Sequence, residues 1–197
     1  MVHNRQVLGL VREIAHEEKF DEGESEIAEL GAVFHDIAKA KDFENHGKNG
    51  GELAKEIILA AGKSPKLAES VQLAIVRHMG NTGYVGKKAR ERFGEDFRYE
   101  EPKTRAEQSL YDADMLAILT AEGVRKLLRM RQITPKDLEE DRKASQEKNI
   151  SVEDAAFLTI AESIKNTLES IKLKASQKIA QRLVEKLLKE YPRLKVS

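Results

Sequence analysis

The apolar residues of this chain recur at three- and four-residue steps almost from end to end. Val2, Val7, Leu10, Val11 and Ile14 set the pattern and predict a first helix over about residues 4–17. Asp21-Glu22-Gly23 reads as a break, after which Ser25 can cap a second helix with the face Ile27, Leu30, Val33, Phe34 and Ile37. A polar stretch, Lys41 to Gly50, precedes a third helix carrying Leu53, Ala54, Ile57, Ile58 and Ala61 and closed by Gly62. Ser64-Pro65 has the cap-then-proline order of a helix start; the fourth helix carries Leu67, Val71, Ala74 and Ile75 and stops near Met79-Gly80.

The period is lost over residues 80–104, where glycines and both signs of charge alternate, and the stretch reads as a long irregular connection. It resumes with Ala106, Leu110, Ala113, Leu116, Ala117 and Leu119. After Gly123 comes a short helix, Val124–Met130, and Thr134-Pro135 opens another. The last third reads as two long amphipathic helices, roughly 151–172 and 174–190, faced by Ala155, Ile160, Ile164, Leu168, Ile171, Ile179, Leu183 and Leu187. No strand alternation interrupts this sequence of helices, so the predicted fold class is all-α.

Composition narrows the function. A chain of 197 residues is expected to form a single domain that can fold on its own core. The absence of cysteine excludes disulfide scaffolds, thiolate zinc sites and thiol nucleophiles. With 34 Lys+Arg against 34 Asp+Glu, nucleic-acid binding by bulk charge is excluded as well. No apolar run reaches the roughly 20 residues of a membrane span, and the N-terminus lacks a signal peptide's layout. The chain therefore reads as soluble and cytoplasmic.

The candidate chemistry lies in five histidines, His3, His16, His35, His46 and His78. His35 is followed directly by Asp36 near the end of the second helix, where imidazole and carboxylate can lean over the same helix end. Together they offer a divalent cation one nitrogen and one oxygen. Two further ligands must come from other helices; His3 and either carboxylate of Asp112-Ala113-Asp114 are the candidates. Such a mixed site suits Mn, Fe, Ni, Co, Zn or Mg, lowers the pKa of bound water and polarises a phosphoryl group.

The order His3, His35-Asp36, Asp114 resembles the HD-domain superfamily of metal-dependent phosphohydrolases, an all-helical fold named for its His-Asp doublet. His3-x-x-x-Val7 is similar to the family's first-helix signature, and His35-Asp36-Ile37-Ala38-Lys39 to its His-Asp-Ile-Gly-Lys core. His46 with Gly50, Ala54 and Ile57 resembles the next helix, and Ala74-Ile75-x-x-His78 the one after. Thr104-x-x-Glu107-x-x-Leu110-Tyr111-Asp112-Ala113-Asp114 resembles the last metal-ligand helix of the small bacterial and archaeal nucleotide-hydrolase branch. The likeness runs over about residues 2–120; residues 121–197 form a helical extension.

The resemblance implies a helical bundle with a divalent metal held between helices by His3, His35, Asp36 and Asp114. Asp114 is preferred over Asp112 because the family's Ala-Asp-x-Leu register falls on Ala113-Asp114-Met115-Leu116. His46 and His78 match positions that in relatives hold a second metal or contact substrate phosphate, and Lys39 matches a basic residue near the phosphate site. Asp36 or a nearby histidine is expected to accept the attacking water's proton, while Lys39 and His78 offset developing charge. Two positions depart from the branch: Met115 stands where a basic residue is usual and Ala117 where an acidic one is common.

The implied activity is hydrolysis of a nucleotide or related phosphate monoester or anhydride. The alternatives are a cyclic or linear phosphodiesterase with two metals, favoured if His46 and His78 complete a second centre, and a non-hydrolytic nucleotide or metal sensor, kept open by Met115. The C-terminal helices carry enough apolar residues for a homodimer or for covering their own domain. Lys87, Lys88, Arg90 and Arg92 could steer phosphate, although the acidic run after them favours a solvated mixed-charge loop. Tyr84, Phe93, Phe97 and Tyr99 could stack on a base, but pinning the loop to the body is the favoured reading.

Overall fold

The computed structural model describes residues 2–81 and 83–194, without the side chains of residues 84, 85, 87 and 88; the readings placed on Tyr84, Lys87 and Lys88 lie outside the described residues. Ten helices and no strand occur among the described residues: α1 (Val2–Glu17), α2 (Glu22–Phe34), α3 (His46–Ala60), α4 (Pro65–Arg77), α5 (Gly83–Phe93), α6 (Arg105–Ile118), α7 (Ala121–Ile133), α8 (Pro135–Lys148), α9 (Val152–Ser170) and α10 (Lys174–Glu190). The all-α expectation holds.

Helices α1, α2, α4 and α6 pack on one another, and α3 lies along α4. Their apolar stripes supply Val7, Val11 and Ile14, then Ala28 and Ala32, then Val71, Ala74 and Ile75, then Leu110 and Leu116 to one buried cluster. Burying each of the larger aliphatic side chains contributes about 1.5–3 kcal/mol. From the extension, Ile160, Ile164, Ile179 and Leu187 join the same cluster, so the stripes of α9 and α10 are spent on the chain's own core. No helix among the described residues is long and apolar enough to cross a membrane.

Five boundaries differ from the sequence expectation, one being the end of α2, which stops at Phe34 and leaves Asp36 and Ile37 in the turns beyond it. The start of α2 is capped by Asp21, not Ser25: the Asp21 carboxylate accepts the Glu24 N–H at 2.8 Å, and the Glu24 side chain accepts the Asp21 N–H at 3.2 Å. The acidic residues that read as a break are thus a capping box. Next, α3 begins at His46 rather than near Leu53. Its glycine-rich first turns have poor intrinsic propensity, but the small residues let α3 approach α4 closely, and packing overrides propensity. A Cβ on Gly51 would stand 2.9 Å from the Gln72 carbonyl oxygen, a backbone atom that cannot swing aside.

Gly51→Ala is therefore expected to destabilise the chain. Overpacking costs about 1–3 kcal/mol, offset by up to about 1 kcal/mol of helix propensity. The net loss should lower the melting temperature by roughly 2–6 °C; an unchanged or raised Tm would show that the crossing has room to spare.

The remaining two differences lie further along. Helix α5 occupies part of the expected irregular connection, with Gly86 and Ala89 buried. Helix α7 runs through Gly123, because Thr120 caps it by accepting the Gly123 N–H at 3.1 Å.

Candidate metal centre

Four imidazoles and two carboxylates meet where the ends of α2 and α4 and the starts of α1 and α3 face the middle of α6. Helix α2 ends at Phe34, so His35 is its C-cap and Asp36 lies in the turns beyond it. His46 opens α3, His78 caps the end of α4, His3 stands in the first turn of α1, and Asp114 projects from α6. His35, His46 and His78 are buried, while His3, Asp36 and Asp114 retain 26%, 13% and 17% side-chain exposure. The cluster thus has a solvent-facing side made by its acids and His3. His16 is exposed, away from any such grouping.

The orientation of the rings follows from the backbone. Nδ1 of His35 lies 2.9 Å from the Ala32 carbonyl oxygen, Nδ1 of His46 2.5 Å from that of Phe43, and Nδ1 of His78 2.5 Å from that of Ile75. A carbonyl only accepts, so each Nδ1 carries the hydrogen and donates it. Nε2 of each ring is thereby turned toward the cluster, the atom that would face a bound cation.

Those Nε2 atoms converge. His46 and His78 approach within 3.2 Å, and His3 and His35 within 3.4 Å. Asp114 Oδ1 lies 3.0 Å from His3 Nε2 and 3.7 Å from that of His35. Asp36 stands between the two pairs: Oδ1 is 3.4 Å from His46 Nε2 and 3.7 Å from His35 Nε2, and Oδ2 is 3.8 Å from His3 Nε2. Two groups of mutually close ligand atoms result, His3–His35–Asp114 and Asp36–His46–His78.

Electrostatics sharpens the arrangement. Burial pushes both carboxyls upward, but the imidazoles around them prevail: His46, His35 and Lys39 hold Asp36, and His3, His35 and His78 hold Asp114, well below the usual carboxylate range. Burial, with His35 and His46 beside it, pushes His78 down to about 3. His78 is therefore neutral near pH 7, and its lone pair faces the nitrogen of His46. Ring nitrogens crowded beside two ionised carboxylates are what a cation would hold together, and Nδ1–H bonds to backbone carbonyls are how proteins orient imidazole ligands. The donor set fits a borderline divalent metal.

Each residue singled out from the sequence can now be located. His3, His35, Asp36, Asp114, His46 and His78 are brought together. Lys39 reaches the same place, its Nζ 2.9 and 2.8 Å from the two oxygens of Asp36. Asp112 points elsewhere: fully buried, its two oxygens accept the backbone N–H groups of Lys172 and Leu173, both at 2.8 Å, between α9 and α10. Met115 is half-buried, its methyl group facing Gly80.

Of the basic and aromatic residues over 84–99, Arg90 donates to the Asn81 carbonyl at 2.9 Å, and Arg92 donates to Asp42 and Glu44 at 2.8 Å each. Phe93, Phe97 and Tyr99 stack in succession at 4.8 and 5.0 Å, and the Tyr99 hydroxyl donates to the Glu44 carbonyl at 2.7 Å. Of these aromatics, Tyr99 ties the segment to the body. Sequence reasoning did not find the link from this segment to Asp42 and Glu44, just before His46; its partners lie about 50 residues apart in sequence, at no fixed spacing.

Compared with known proteins, the chain matches the family model described as HD domain over residues 1–119. Neither a search of curated proteins nor one of solved structures gives a match.

Proposed function

The chain belongs to the HD-domain family, whose members are generally metal-dependent hydrolases, and on that premise we propose that it hydrolyses a nucleotide or a related phosphate monoester or anhydride. The observation that carries this reading is the convergence of four Nε2 atoms on two ionised carboxylates. His3, His35, Asp36 and Asp114 would hold the metal, and His46 and His78 lie beside Asp36 in the same cluster. Bound there, a divalent ion supplies Lewis-acid polarisation of a phosphoryl group and a lowered pKa for water.

The chain's own residues do the rest. Asp36, ionised and partly exposed, can accept the proton of an attacking water at one carboxylate oxygen. Lys39 is one-third exposed, so its ammonium can turn from Asp36 to a phosphate oxygen and offset charge that builds up there. His78, being neutral, contributes a lone pair, so that task falls on Lys39. The buried walls of His35, His46 and His78 keep bulk water from the rear of the site.

A second reading, phosphodiesterase action on a cyclic or linear diester, is favoured by one specific observation: the ligands form two groups that share a boundary at Asp36, a layout suited to two ions. Phosphate and pyrophosphate release from a panel of nucleotides and diesters, with Mn, Mg, Ni or Co and with chelator, tests both. Chelator-sensitive release from monoesters or anhydrides is the expected result; turnover of diesters alone would select the second reading. Turnover unaffected by chelator would sink both.

A further inference from the structure

The stretch from Arg90 to Glu101 takes no part in the chemistry above, yet its side chains grip the two places from which His46 and His78 are presented. His46 follows a short hook, Asp42-Phe43-Glu44-Asn45, that hangs between the turns after α2 and the start of α3. The hook's shape decides where the imidazole sits, because the Phe43 carbonyl holds Nδ1 of His46. Asp42 closes the hook on itself by accepting from the backbone and side-chain nitrogens of Asn45 at 3.2 and 3.0 Å.

Two side chains of the later segment then fasten the hook from outside with three hydrogen bonds. Arg92 Nη1 bridges the carboxylates of Asp42 and Glu44, and the Tyr99 hydroxyl donates to the Glu44 carbonyl, two residues before His46. Burial and the nearby acids push the Tyr99 phenol up to about 12, so it remains a donor across the working pH range. At the other end, Glu100 accepts from Arg77 Nε at 3.1 Å, one residue before His78, and Arg77 is itself paired with buried Glu107 at 2.9 Å. Asn81, three residues after His78, donates to the Tyr99 carbonyl and accepts the Tyr99 N–H.

We infer that residues 90–101 form a strap that stations His46 against His78, with Arg92 and Tyr99 as positioning residues for the Asp36–His46–His78 group. The inference rests on the second reading above, in which this group holds a metal ion of its own beside the one on His3–His35–Asp114. Its partner group, His3–His35–Asp114, is built on α1, the end of α2 and α6, and the hook carries none of its ligands. The strap therefore acts on one half of the centre.

Calorimetric titration of the chelator-stripped full chain with Mn2+ alone tests this. The wild type is expected to show two binding steps, and His46→Ala to identify the step that belongs to the strapped half. Tyr99→Phe, which removes one hydroxyl and keeps the ring against Phe97, should weaken that step by up to about 10-fold, the lower end of what losing a direct outer partner of a metal ligand costs, since Tyr99 acts on His46 through the hook. Adding Arg92→Ala should bring the loss to about 100-fold, and Arg92→Lys should restore part of it. The other step should keep its affinity in every case, which a general loosening of the fold would not allow.

Both steps unchanged in the double variant, or both weakened alike, overturns the strap. A wild type with a single step or none overturns the reading on which it rests, and the strap with it. Should the double variant fail to fold, Tyr99→Phe alone decides, since it is close to isosteric.

Discussion

Asp36→Ala is expected to lower metal-dependent phosphate release by about 10^3-fold or more, which corresponds to roughly 4 kcal/mol of transition-state stabilisation. The size follows from position. Asp36 lies within 3.8 Å of the Nε2 atoms of His3, His35 and His46, so a single carboxylate borders both ligand groups. Removing it takes away an anionic ligand, the proposed proton acceptor and the counter-charge of Lys39 together. The fold should survive, because the ammonium of Lys39 is one-third exposed and can return to water. Kinetics at saturating metal, beside a melting curve, check both halves of the expectation. Full activity with full metal content in the variant would refute the proposed site.

The second large effect separates two carboxylates on the same helix. Asp112→Ala should destabilise the chain by about 2–5 kcal/mol, because two backbone N–H groups would lose their acceptor at a buried junction, at about 1–3 kcal/mol each. For a chain of this length, that is a fall in Tm of about 5–15 °C. Asp114→Ala should do the reverse: a smaller thermal loss, since the neighbouring His3 is partly exposed and can be rehydrated, with turnover reduced about as far as in Asp36→Ala. Thermal denaturation in chelator and turnover in excess metal, run on both variants, read the two effects independently. If Asp112→Ala melts like the wild type and loses its metal, the assignment of the two residues is reversed.

That pair also marks the limit of the sequence. Asp112 and Asp114 differ by 200° on a helix, so they must face opposite ways, but spacing alone leaves open which one meets His3. The family register chose Asp114; the neighbours that explain the choice, Lys172 and Leu173, lie about 60 residues downstream. Arg92 and Glu44 are a similar case, a contact between residues 48 apart with nothing local to announce it.

The chain's periodicity by itself determined that it is helical, and where most of the helices run, because an apolar stripe every three or four residues has no other way to be buried. Its motif order determined which six histidines and carboxylates belong together, since few residue types bind divalent metals and these occur at intervals that resemble a known pattern. Tertiary structure alone decided the rest. It turned the glycine-rich turns of residues 46–51 into helix, because α4 accepts a close neighbour there that propensity would not form. It drew α5 out of a stretch without a period, and aimed the four Nε2 atoms inward by giving three of the rings a carbonyl to hold. It also put Asp36 in the group of His46 and His78, within 3.8 Å of the rings of His3 and His35 in the other. A side chain's direction depends on what is packed against it, and that is a property of the assembled chain, not of any segment.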